Sequence, residues 1–262
     1  MESIGNAAKK AVLANVTIET KTVGIGSGRT VPYILIELKK HLFQLGTLKT
    51  VKCIPSSFQT KQLIIQSDLF VGDIETETDI DVAFDGIDAC DENLNAIKGN
   101  GCAMLKEKKI LFCSKKNIGI FGEEKTINKM LPTYIGDTEK NINIEVLQNS
   151  LFHVMRRLQN ILFHNGCTCI LKQKDGMVCS FPMVTENGFF VIIWNPFRCE
   201  KHRDILMGDE KIEEVSSILK NIPGVVEHGL FHSLFSFFFV SYTDGSVIIF
   251  EKKLIGKEIK YN

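Results

Sequence analysis

Thr22-Val23-Gly24-Ile25-Gly26-Ser27-Gly28-Arg29-Thr30-Val31-Pro32 is the stretch that decides the fold class. Its first five residues read as a short strand ending in glycines. Thr30 can then cap a helix, with Pro32 inside the first turn, where a missing N–H costs nothing. Val31, Ile34, Leu35, Leu38, Leu42 and Leu45 continue at helical spacing. A strand passing through a glycine turn into an amphipathic helix is the repeating unit of a parallel sheet.

The same alternation extends on both sides. Before it, Ala8, Ala11 and Val12 mark a short amphipathic helix. After it, Val51-Lys52-Cys53-Ile54 is strand-like, and Pro55-Ser56-Ser57 opens a helix around Leu63. Asp79-Ile80-Asp81-Val82-Ala83-Phe84 alternates as a strand and ends at Asp85-Gly86. A helix across Met104 to Leu111 and a strand at Ile118-Gly119-Ile120 complete the run. The expectation is a mostly parallel sheet with helices on both faces.

Beyond Ile142 the pattern changes. Ile142 to Val146 is a strand, followed by a helix capped near Asn149 or Ser150. Its apolar stripe is Leu151, Val154, Leu158, Ile161 and Leu162, and Gly166 stops it. Two strand-like stretches follow, with turn signals at Asp175-Gly176 and Asn187-Gly188. Asp209 caps a helix that buries Ile212, Val215 and Leu219 and ends at Pro223-Gly224, before a strand from Val225 to Phe231. This β-α-β-β-α-β order suggests a ferredoxin-like small domain. The stretch from Phe237 to Phe250, turning at Asp244-Gly245, is free to rejoin the large sheet.

Composition narrows the function. The chain has 262 residues, 44% hydrophobic and 24% charged, which excludes a disordered or collagen-like protein. That length is near the ceiling for a single core, so one large domain or two unequal ones is expected. Thirty-one basic residues balance 31 acidic ones. No net field therefore favours nucleic acid or an anionic membrane as partner, although a local basic pocket remains open. Apolar runs such as Phe189 to Trp194 fall far short of the roughly 20 residues that span a bilayer. No secretory signal is visible after Met1. Eight cysteines include one close pair, Cys167 and Cys169, three residues after His164, with no second metal-binding knuckle. The reading is reduced thiols in a cytoplasmic protein, with no metal site.

Four segments carry polar residues at strand ends, where open α/β sheets hold ligands. Gly24 to Thr30 offers glycines, the hydroxyls of Ser27 and Thr30, and a helix N-terminus for an anion, or it is simply a tight turn. It lacks the spacing of a dinucleotide fingerprint or a nucleotide P-loop. Asp85-Gly86-Ile87-Asp88 sets two carboxylates three residues apart, suited to acid–base work or to capping a turn. Lys98-Gly99-Asn100-Gly101 puts a cation beside a glycine loop, as an oxyanion site or a solvated turn. Glu107, flanked by Lys106, Lys108 and Lys109, reads on its own as a surface residue. Cys90 and Cys102 adjoin these segments, as pocket thiols or as packing residues.

Together the four segments resemble type A ribose-5-phosphate isomerase. So do Leu105-Lys106-Glu107-Lys108, Thr185-Glu186-Asn187-Gly188 and the stretch from Ile222 to Phe231. The resemblance runs almost end to end. It implies interconversion of D-ribose 5-phosphate and D-ribulose 5-phosphate through an enediolate, in the pentose phosphate pathway, without metal or organic cofactor. By that likeness Glu107 matches the base that moves a proton between carbons 1 and 2. Asp85, Asp88 and Lys98 complete the catalytic set. Lys9, Ser27, Gly28, Arg29, Thr30, Gly86, Ile87, Gly99, Asn100, Gly101 and Lys125 match substrate contacts. The implied fold is a Rossmann-like α/β large domain, residues 1–138 and 240–262, with a ferredoxin-like α+β small domain, residues 139–239. The implied partner is a small sugar phosphate rather than nucleic acid or membrane, in a homodimer or homotetramer.

The chain departs from the family pattern in places. Arg29 replaces a small serine, Asn100 a glycine, and Ala89 and Gly122 stand where acidic residues are expected. A non-catalytic sugar-phosphate-binding protein on the same fold is the leading alternative, and a nucleotide-binding oxidoreductase a more distant one.

Overall fold

In a computed structural model of the chain, residues 2–138, 140–161, 168–172, 182–197 and 206–252 are described. The first half alternates as the sequence suggests: α1 (Glu2–Asn15), β1 (Thr22–Ile25), α2 (Val31–Leu45), β2 (Lys52–Pro55), α3 (Phe58–Gln66) and β3 (Phe70–Val71). Then come β4 (Val82–Gly86), two short strands β5 (Ala89–Cys90) and β6 (Ala96–Ile97), α4 (Met104–Phe112) and β7 (Asn117–Gly122). The second half holds β8 (Ile142–Val146), α5 (Leu151–Ile161), β9 (Thr168–Leu171), β10 (Phe190–Asn195), α6 (Asp209–Lys220), β11 (Val225–His228) and β12 (Leu230–Phe231). It closes with β13 (Phe237–Ser241) and β14 (Val247–Glu251).

The large sheet has seven strands in the order β14-β13-β7-β4-β1-β2-β3. All neighbours are parallel except the β13–β14 pair. From β1 the chain moves outward to β2 and β3, then returns to β4 on the other side of β1. The crevice beyond the ends of β1 and β4 is therefore the point where strand order reverses, the usual ligand position in such sheets. On one face, Ala8, Ala11 and Val12 of α1 and the stripe of α2 cover Val23, Ile25, Phe84 and Ile118. On the other, Ile110 and Leu111 of α4 pack with Ala83, Phe121 and Phe238.

Burial holds α2 in place more than its cap does. Thr30 stands at the N-cap with helical dihedrals and makes no capping bond, contrary to the sequence expectation. Five residues of the helix are buried instead, each contributing about 1.5–3 kcal/mol, against about 1 kcal/mol for a good cap. At the other end Gly46 takes a left-handed conformation, and Gly46 and Thr47 donate to the carbonyls of Phe43 and Leu42.

The second sheet has the order β11-β8-β10-β9 with antiparallel neighbours throughout, the split β-α-β pattern of a ferredoxin-like unit. Ile142, Ile144, Ile192 and Trp194 meet Val154 and Leu158 of α5 and Ile212, Val215 and Leu219 of α6. Asn143 and Glu145 alternate to the opposite face. Asp209 is the first residue of α6 rather than its cap, because its carboxylate accepts from Asn95 Nδ2 at 2.9 Å. Leu162, Gly166, the Asp175-Gly176 turn and Cys167, Cys179 and Cys199 lie outside the described residues.

The expected strand from Val225 to Phe231 is two strands in different sheets. β11 pairs with β8, whereas β12 pairs with β6 in a three-stranded sheet, β12-β6-β5. Gly229 is the hinge between them. Its N–H donates to Asn143 O at 2.8 Å, and its carbonyl accepts from Lys98 N at 2.9 Å. A Cβ there would strike the Lys98 carbonyl. The crossing thus fixes the backbone of Lys98 between the sheets. Among the described residues no helix is long and apolar enough to cross a membrane.

Candidate active site

Asp85 is the penultimate residue of β4, beside the turn after β1, where Gly26 passes so close that a Cβ would collide with the Asp85 carboxylate. Asp85 Oδ1 accepts from its neighbour Gly86 N at 2.7 Å and lies 2.9 Å from Lys98 Nζ. Lys98 also donates to the Gly86 carbonyl at 2.7 Å, and its Nζ is 3.4 Å from Glu107 Oε2. All three side chains are nearly sealed: Lys98 and Glu107 are 3% exposed and Asp85 1%. Asp85 Oδ2 and Glu107 Oε2 make no hydrogen bond despite their burial. Buried polar atoms without hydrogen-bond partners are rare, and a catalytic role is one of the reasons for which they occur.

Glu107 is thus not the surface residue its lysine-rich neighbourhood suggests. Helix α4 lies between the large sheet and β11, and each flanking lysine is drawn to a carboxylate elsewhere. Lys106 pairs with Glu186 at 3.1 Å, Lys108 with Glu227 at 2.7 Å, and Lys109 with Glu75. Glu107 occupies the inner face, opposite Lys98.

The electrostatics follow from one cation serving two buried carboxylates. Burial pushes Glu107 up to about 8, against the opposing pull of Lys98, with the charges of Asp85 and Asp88 adding to the rise. Asp85 is raised for the same first reason. Burial disfavours the charge on Lys98 too, but Asp85 and Glu107 outweigh it and hold its pKa above the ordinary lysine value. The result is a fixed ammonium beside a carboxyl that titrates near neutrality.

The other expected residues fall into three groups. Asp88, half-buried, accepts the N–H of Asn100 at 3.2 Å, so it holds the lysine loop. In that loop Gly99 has φ +84°, and its carbonyl accepts from Asn143 Nδ2 at 2.8 Å. The Asn100 carbonyl accepts from Lys172 at 2.7 Å, and exposed Gly101 completes the loop. Lys125 follows β7 and donates to the Ile87 carbonyl, which joins it to the cluster. Burial lowers its pKa. Ser27 Oγ lies 2.7 Å from Ser56 Oγ, while Gly28 and Arg29 are exposed and Thr30 half-buried. Arg29, Lys125 and Lys140 line one cavity of about 440 Å³ beside this loop. Lys9 is exposed on α1, which packs against α2, β7, β13 and β14.

Two carboxylates escaped the sequence reading. Glu145 on β8 is fully buried, and burial raises its pKa against the opposing pull of Thr185 and the Leu105 N–H. Only its place in the strand alternation, opposite the apolar Ile144, hints at this. Glu227 is held down to about 2: burial opposes its charge, but Lys108 and His228 overcome that. Among the described residues no group of three His, Cys, Asp or Glu is placed to hold a metal ion.

Cys90 and Cys102 are buried, and burial pushes both thiols up. Neither is a reactive pocket thiol on this geometry, since the thiolate is the nucleophile. Iodoacetamide on the native chain is expected to leave both unlabelled and activity intact, with labelling only after unfolding. Peptide mass spectrometry reads this directly; carbamidomethyl-Cys102 or carbamidomethyl-Cys90 in the folded, active chain would contradict it.

The family described as ribose 5-phosphate isomerase A (phosphoriboisomerase A) matches residues 52–245. The chain is 32% identical over 249 residues to a ribose-5-phosphate isomerase of Candida albicans, covering 94% of this chain and 95% of that one. The fold is similar to a solved ribose 5-phosphate isomerase from Plasmodium falciparum, with TM-score 0.81, 29% identity and coverage of 97% and 100%. It is also similar to a D-ribose-5-phosphate isomerase solved with phospho-erythronic acid, at TM-score 0.78 and 26% identity, covering 95% and 98%.

Proposed function

This chain belongs to the ribose 5-phosphate isomerase A family, and we infer that Glu107 is the group through which it interconverts D-ribose 5-phosphate and D-ribulose 5-phosphate. The observation that carries this is the placement of Glu107: sealed, with Oε2 within ion-pair range of Lys98 and opposite the Asp85–Lys98 pair.

In the open-chain aldose, the ionised Glu107 takes the proton from carbon 2, and the electrons flow toward the carbonyl oxygen of carbon 1. Lys98 faces the enediolate that forms, and its charge is in place before the reaction, so no reorganisation is needed at that moment. A proton passes from the carbon 2 hydroxyl to the carbon 1 oxygen, Glu107 returns its proton to carbon 1, and the electrons of the carbon 2 oxyanion close the new carbonyl of the ketose. One carboxylate serves as base and then acid because its pKa lies close to working pH. Asp85 and Asp88 orient sugar hydroxyls and assist ring opening. The phosphate sits at the Ser27 to Thr30 turn, with Lys125 on its flank. Lys9 of α1 adds a further contact to the phosphate.

Only the ionised form of Glu107 abstracts a proton. In the free enzyme kcat/KM should therefore climb with pH through about 8 and level off above it. The test of the activity itself is direct. Purified protein incubated with ribose 5-phosphate in deuterated water should form ribulose 5-phosphate, with partial deuterium at carbon 1. Binding without turnover would favour the non-catalytic alternative.

Arg29 adds a cation to the phosphate side that the family pattern lacks. Exposed and lining the same cavity as Lys125, it supplies a screened attraction. Arg29→Ser is expected to raise KM severalfold, weaken the salt dependence of KM, and leave thermal stability unchanged. An unaltered KM across a salt series would place Arg29 outside the phosphate's reach. The family reading also carries a cytoplasmic location and a homodimer or homotetramer, the latter measurable by light scattering.

A further inference from the structure

The contacts around the cluster form a nearly closed circuit. Gly26 abuts Asp85, Asp85 pairs with Lys98, and Lys98 faces Glu107 on α4. On the opposite side Ser27 Oγ meets Ser56 Oγ, two residues before Phe58 at the start of α3. One side chain joins the two arms. Glu186, from the turn between Thr185 and Gly188, accepts from Phe58 N on Oε1 at 2.7 Å and from Lys106 Nζ on Oε2 at 3.1 Å. Lys106 is the residue next to Glu107.

The reach of Glu186 is set by a tight hydrogen-bonded turn. Gly188 N donates to Thr185 O at 2.9 Å with Gly188 at φ +84°, Thr185 is buried, and Gln148 Nε2 holds the Gly188 carbonyl at 2.8 Å. The bridge itself is half-exposed, 40% at Lys106 and 37% at Glu186. Half-exposed ion pairs contribute little to folding and exchange readily with water. A weak bridge on a hydrogen-bonded turn, closing a ring that runs through the sealed Asp85, Lys98 and Glu107, is suited to opening and closing rather than to holding the fold.

We propose that Glu186 is a positioning residue: bridging Phe58 N–H and Lys106, it latches the loop from Ser56 to Phe58 onto α4 and so holds the bound sugar phosphate against Glu107. The latch rests on the isomerase reading above for its substrate. It predicts a loss in binding of the reacting sugar rather than in the chemical step, because Glu186 touches no atom that changes bonding.

Steady-state kinetics on the full chain test it with Glu186→Gln, Glu186→Ala, Lys106→Met and the double variant Glu186→Ala/Lys106→Met. Glu186→Ala should raise KM roughly 10-fold with kcat within about twofold of the unaltered chain. Glu186→Gln keeps an acceptor for Phe58 N–H and loses the ion pair, so its KM should fall between. The double variant should be no worse than Glu186→Ala alone, since both remove one link. Calorimetric affinity for ribose 5-phosphate should follow KM, which reads the latch even if turnover is absent and so separates it from the isomerase reading. Unchanged KM and affinity in both Glu186 variants overturn the proposal. So do additive single effects, or a fall in kcat at constant KM.

Discussion

Glu107→Gln is expected to lower isomerisation on the order of 10,000-fold, while affinity for ribose 5-phosphate stays within about tenfold of the unaltered chain. Glutamine fills the same space on the inner face of α4 and still presents an oxygen toward Lys98. It cannot accept a proton from one carbon and deliver it to the next. Turnover measured by ribulose 5-phosphate formation, beside calorimetric binding, separates the two losses. Near-normal turnover in a folded Glu107→Gln protein would remove Glu107 from the reaction.

The same substitution should also stabilise the fold at alkaline pH, which no ordinary surface glutamate would do. Burial lifts the carboxyl from its usual 4.5 to about 8. Between those values the folded chain keeps a proton that the unfolded chain has lost, so the stability due to Glu107 is full below 4.5 and falls as pH rises through the window. Glutamine has no proton to lose. Thermal melts of the two proteins should thus lie close together near about pH 5 and separate in favour of Glu107→Gln by about pH 9. Parallel behaviour would mean that the carboxylate is solvated in the native state. An activity–stability conflict at one residue is what a sealed, raised carboxyl implies.

Why this carboxyl is sealed could not be read locally. The alternation of strands and helices was legible because each element carries its own period, as in α2, where five buried positions repeat along one face. The burial of Glu107 has no local signature: Lys106, Lys108 and Lys109 surround it, and their partners Glu186, Glu227 and Glu75 are distant in the chain. Family likeness, not periodicity, pointed to it. The strands β5, β6 and β12 are two residues each, too short to show any pattern. For that reason the run from Val225 to Phe231 read as one strand, and the change of sheet at Gly229 that anchors Lys98 stayed hidden. Asp85 and Asp88 were legible as a pair, yet their spacing said nothing of the division between them. One carboxylate is buried against Lys98, and the other secures the loop through Asn100 N–H.

Lys98→Met should reduce turnover about 100- to 1,000-fold, with a smaller change in KM. Methionine is chosen because Lys98 is 3% exposed and its stem is packed, so alanine would open a cavity and confuse the result. The substitution removes the only ammonium within ion-pair range of both Asp85 and Glu107 among the described residues. Stranding a buried charge costs about 3–5 kcal/mol, and here the carboxyls can escape that cost by keeping their protons. Glu107 already titrates near 8 with Lys98 opposing the rise. Without that opposition its pKa must move higher, and the rising limb of kcat/KM should move upward with it. The melting temperature should accordingly stay near that of the unaltered chain in acid and drop in alkali, the reverse of the trend for Glu107→Gln. A loss confined to KM, with the limb unmoved, would assign Lys98 to holding the substrate's phosphate. A shifted limb with lost turnover places the ammonium where the enediolate forms, because one charge then both tunes the base and meets the oxyanion.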